Sequence, residues 1–97
     1  MIYKFKSAAS GDVIMLGPHG DQLLQLLGRE PAAKGIIEAA AMPMALVTLQ
    51  SAAAAEEQAR AADASAKPAV ALRQRLWPMI DMLRRSHAAN EPVVWGV

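Results

Sequence analysis

The chain opens on an alternation. In "IYKFK", Tyr3 and Phe5 fall on one side of an extended strand and Ile2, Lys4 and Lys6 on the other. A period of two marks a strand with one face in the core and one in solvent. After the small-residue turn "SAASGD", the run "VIML" (13–16) is apolar without alternating, the pattern of an interior strand buried on both faces. The short connection predicts an antiparallel hairpin. "DQLLQLLG" (21–28) then switches to helical spacing: Leu23, Leu26 and Leu27 share a face, and Gly28 is a natural stop. "KGIIE" predicts a short strand between turn signals.

Two longer helical patterns follow. In "MPMALVTLQSAAAAEEQARAA", Met42, Leu46, Leu49 and Ala53 recur at helical spacing, and Pro43 suits a first helical position. Beyond Ala53 this helix has no large apolar residue, so its last turns depend on propensity more than on packing. Residues 62–68 carry no large apolar side chain and are expected to form a mobile loop. In "AVALRQRLWPMIDMLRRSHA", Leu72, Leu76, Met79, Ile80 and Leu83 cover one arc. Pro78 lies inside this pattern and predicts a kink or a split there. "VVWGV" predicts a last short strand with Trp95 buried in it.

The expected fold class is therefore α+β. A small mixed sheet of about four strands, in the chain order β-β-α-β-α-α-β, carries helices packed on it. At 97 residues the chain makes one domain, 1–97. Of its 54% hydrophobic residues, 21 are alanines, so the core is modest. The net charge of +1 points to neither nucleic acid nor an anionic membrane. There is no cysteine, hence no disulfide, thiolate metal site or catalytic thiol. "MIYKFKS" lacks the apolar run of a signal peptide, and no apolar stretch approaches the ~20 residues that span a bilayer. A cytoplasmic location is the expectation.

Three places could carry chemistry. In "LGPHGDQLL", a G-x-x-G turn with His19 between Gly17 and Gly20 leads into a helix. Phosphate cradles need several converging backbone N–H groups. Pro18 has none to give, and Asp21 puts a carboxylate near where the anion would sit, as a cap or first-turn residue. The spacing matches neither the dinucleotide fingerprint nor the P-loop, and an ordinary strand-to-helix turn is the simpler reading. On the last helix, Arg73, Trp77 and Arg84 lie close together on a helical wheel and could clamp an acid or stack on a base. The simpler reading is solvated structural charge, with Trp77 sealing the core and Arg73 over its ring. His87 sits near that helix's C-terminus, where a cation is favoured, with no second histidine at ligand spacing. No catalytic set, metal set or cofactor motif is recognisable.

Four stretches, "YKFKS", "GDVIMLGPHGDQLLQLLG", "KGIIEAAAMPMA" and "LRQRLWPMIDMLRRSHAANEPVVWGV", together resemble a proteobacterial family catalogued as domain of unknown function 1840. The resemblance covers nearly the whole chain and is weakest between Ala52 and Lys67. It implies a single-domain bacterial protein, and it carries over no catalytic or ligand residue.

The expected function is that of a non-catalytic binding, interaction or regulatory module. The positive sign is surplus apolar surface: "VIML", "GII" and "VVW" are apolar on both faces, with three helices to cover them. A homodimer would bury the remainder. The alternative is an enzyme or small-anion binder using the 17–21 turn with His19 and Arg73 or Arg84. Nucleic-acid binding through the basic last helix ranks below both.

Overall fold

The computed structural model describes residues 2–62 and 72–96. The expected mobile loop, 62–68, lies outside the described residues from its second position on. The elements are β1 (Ile2–Ser7), β2 (Ser10–Leu16), α1 (Gly17–Leu26), β3 (Gly35–Ile37), a 3-10 turn (Ala39–Ala41), α2 (Met42–Ala62), α3 (Leu72–Ala88) and β4 (Val93–Trp95). The α+β class and the chain order agree with the sequence reading. In detail the sheet is antiparallel throughout rather than mixed, in the order β2-β1-β4-β3.

The alternation in β1 works as read. Tyr3 and Phe5 are buried, whereas Ile2 and Lys4 face out. Tyr3 and Phe5 stack with ring centroids 5.8 Å apart, and the Trp95 ring meets Phe5 edge-on at 5.5 Å. With Met15, Ile37 and Val93 these rings form the sheet's inner layer. The helices cover it with Leu23 and Leu24 from α1, Met42 and Leu49 from α2, and the arc Leu72, Leu76, Met79, Ile80, Met82 and Leu83 from α3. Trp95 Nε1 donates to the carbonyl of Ala32 at 3.0 Å, and the ring lies over Gly35, where a Cβ would stand 2.4 Å from its Cζ2.

The helix ends follow from two residues with positive φ. Gly28 (φ 75°) and Asn90 (φ 55°) occupy the left-handed position after α1 and α3. Gly28 N–H donates to Gln25 O and Arg29 N–H to Leu24 O; Asn90 N–H donates to His87 O and Glu91 N–H to Ser86 O. Both are Schellman closures. Pro78 does not split α3, which runs as one helix from Leu72 to Ala88.

Two expectations need correction. "VIML" is not an interior strand, because β2 forms an edge of the sheet. Nor is it buried on both sides: Ile14 is 65% and Leu16 61% exposed. All three helices contribute to the one inner core, so the second face has no layer over it among the described residues. An unalternating apolar run arises equally from two covered faces and from one face left open.

Candidate functional site

The 17–21 turn is not a loop. Strand β2 passes directly into α1, with Leu16 as the N-cap residue and no side-chain capping bond. Gly17 and Gly20 are buried in the first turn, and His19 between them is exposed. Gly20 is required by packing. A Cβ there would lie 2.1 Å from Cδ2 of the Tyr3 ring, so the glycine lets α1 sit on β1. Asp21 is neither cap nor first-turn residue: its Oδ1 accepts the Tyr3 hydroxyl at 2.5 Å. That bond, with burial and the carboxylate's charge adding to it, pushes the Tyr3 phenol from 10 up to about 12.

Arg73 turns away from Trp77. Its Nε donates to Glu57 Oε1, tying α3 to α2 on the surface. Arg84 takes the place expected of Arg73, with its guanidinium carbon 5.6 Å from the centroid of the Trp77 ring. Trp77 itself is 51% exposed and does not seal the core. The reason is the helical arc: on that side the buried set ends at Ile80, and Trp77 lies about 60° beyond it at 100° per residue. Asp81 pairs with Arg85 at 3.0 Å, and His87 is exposed.

Hence Gly17, His19 and Gly20 stand on α1, and Arg73, Trp77 and Arg84 on α3. Four shallow cavities along the described surface hold from about 190 to about 330 Å³, and none of these six residues lines any of the four. Arg75 of α3 does reach α1, where its Nη1 donates to Gln22 Oε1 at 3.2 Å. No group of three or more metal-ligating side chains occurs among the described residues. No helix among them is long and apolar enough to cross a membrane.

The most distinctive surface is the open face of the sheet. Ile2 (64% exposed), Ile14, Leu16 and Ile36 (43%) project from it, with Val94 half-buried among them. Ile2 faces Leu16 and Lys4 faces Ile14 across the β1–β2 ladder, and Ile36 faces Val94 across β3–β4. Lys4 pairs with Asp12 at 3.6 Å on the same face. The aromatic residues of the sheet all point the other way. Sequence reasoning found the surplus of apolar residues but not where it lies, since strand order is not written in periodicity.

No curated protein and no solved structure matches the chain. A family model described as a domain of unknown function does, over residues 1–95. That span takes in β1 through β4, including the buried Gly20–Tyr3 contact and the open sheet face, and the chain belongs to the DUF1840 family.

Proposed function

We propose that this chain is a non-catalytic interaction module that works as a homodimer and offers its uncovered sheet face to protein partners. One observation carries the reading: Ile2, Ile14, Leu16 and Ile36 lie on one face of a sheet whose helices all pack on the other. Burying apolar area drives association at ~25 cal/mol per Å² before the costs of ordering are met. Open sheets that bind single-stranded nucleic acid stack bases on outward-facing aromatics. Here Tyr3, Phe5 and Trp95 are all buried on the inner side. The absence of cysteine suits a reducing compartment, and a cytoplasmic location is part of the proposal.

Sedimentation equilibrium across a micromolar range tests the association. A mass near twice 10.3 kDa is expected as concentration rises, and a 10.3 kDa species throughout contradicts it. The exposed Trp77–Arg84 stack is the single observation that favours nucleic acid. A labelled oligonucleotide settles that reading: binding that falls steeply with salt supports it, and no binding at low salt removes it.

A further inference from the structure

Arg29 is held at both ends. Its backbone N–H closes α1 by donating to Leu24 O, and its Nη1 donates to the carbonyl of Ile36 at 2.9 Å. That carbonyl belongs to β3, an edge of the sheet. The side chain therefore ties the end of α1 to the sheet edge. It also borders a cavity of about 190 Å³ that these two share with α2. Of the described residues lining that cavity, Arg29 alone is charged. Among the described residues no carboxylate pairs with it.

The floor of the cavity is apolar. Leu27 comes from just after α1, Ile37 from β3 and Ala45 from α2. Ile37 and Ala45 are buried, so the cavity reaches down to the core. It stays open because the α2 side presents small residues there, Ala41 just before the helix and Ala45 one turn on. Met44, 71% exposed, stands at the mouth, where its flexible thioether makes an adaptable wall. Thr48 adds one hydroxyl.

We propose that this cavity binds a short aliphatic monocarboxylate. The hydrocarbon lies against Leu27, Ile37 and Ala45, and the carboxylate meets Arg29 and the Thr48 hydroxyl. Charge selects the class. A guanidinium has five N–H donors in a planar fork, and the Ile36 carbonyl takes one of them. The Nε–Nη2 edge is left, and it matches the two oxygens of a carboxylate. A phosphate group brings up to about two negative charges to this one cation. An inorganic anion leaves the apolar floor unused. Size narrows the choice. At ~30 Å³ for each water-sized group, the cavity takes roughly six to seven non-hydrogen atoms, which is a carboxylate of four or five carbons. Because Arg29 is already fixed, little side-chain freedom is lost on binding. None of the open-face side chains Ile2, Ile14, Leu16 and Ile36 lines the cavity, so this inference goes beyond the association reading and stands apart from it.

Sodium pentanoate titrated into isotopically labelled full-length chain tests the site, read by NMR shifts over ~0.1–10 mM, the range suited to so small a ligand. Saturable shifts are expected at the methyl groups of Leu27, Ile37, Ala45 and Thr48. Pentanol and acetate, each carrying half of the proposed chemistry, are expected to leave these methyls in place. Arg29→Gln removes the charge, and Ala41→Leu fills the cavity with Arg29 intact. Each is expected to weaken pentanoate binding by about tenfold or more, as for a lost charge-assisted hydrogen bond. Unchanged shifts elsewhere in the spectrum show that a variant is folded. If Arg29→Gln fails to fold, Ala41→Leu and the pentanol and acetate titrations of the unaltered chain decide. Equal shifts with pentanol would mean an apolar pit that does not recognise a carboxylate, and equal shifts with acetate would mean ion pairing at Arg29 alone. Either result overturns the proposal, and so does a pentanoate titration that moves none of these methyls.

Discussion

Gly20 has a tyrosine ring where its side chain would be. Read along the chain, two glycines before a leucine helix raise the question of an anion cradle, and an ordinary strand-to-helix turn is the simpler answer. In three dimensions Gly20 is the gap into which Tyr3 fits, and Tyr3 lies too far away in sequence for local pattern to link them. Gly20→Ala is expected to cost ~1–3 kcal/mol by overpacking, seen as a lower midpoint in urea. An unchanged midpoint contradicts the packing role. Tyr3 also gives a pH dependence. Its phenol is neutral below its pKa, and that pKa is higher folded (about 12) than unfolded (10). The stabilisation is complete below pH 10 and is lost as pH rises toward 12. Tyr3→Phe should remove this part of the alkaline fall, so the stability gap between the two proteins narrows across that window. A constant gap in denaturant titrations would rule out the Asp21 bond as the cause. At this scale the sequence yields residue types and misses partners: Tyr3 with Asp21, and Ser7 with Ser86, whose hydroxyls lie 2.6 Å apart, are pairs made by folding.

Elements were more legible. The apolar arc of α3 and the alternation of β1 each report a single buried face, and periodicity measures that directly. Gly28 and the "ANEP" segment mark helix ends because a left-handed residue is a local requirement. What connects elements is less visible. Glu56, near the end of the Ala-rich helix, accepts the N–H of Leu72 at 2.9 Å and so caps α3 from another helix. Glu56→Ala is expected to cost ~0.5–2 kcal/mol, as for a lost N-cap. Glu57→Ala, which removes an exposed pair with Arg73, should cost at most ~1 kcal/mol. Equal midpoints for the two variants in urea contradict a capping role for Glu56.

The arrangement of the whole molecule was the least legible. "VIML" reads as doubly buried, yet it forms an edge of the sheet and shows Ile14 and Leu16 to solvent. Periodicity records which side chains are apolar and is silent on what covers them. The helices gather on the inner face because the aromatic layer of Tyr3, Phe5 and Trp95 is there to be covered. That leaves an apolar outer face, the surface on which the proposed association rests. Hydrogen exchange of the β2 amides as a function of protein concentration tests this most directly. Alternate amides of an edge strand bond the neighbouring strand, and the others point outward, so only the outward ones gain protection from a new contact. The account predicts that protection at the outward-pointing amides of Val13–Leu16 rises from low to high micromolar protein. Protection in β2 that is the same at every concentration would contradict it.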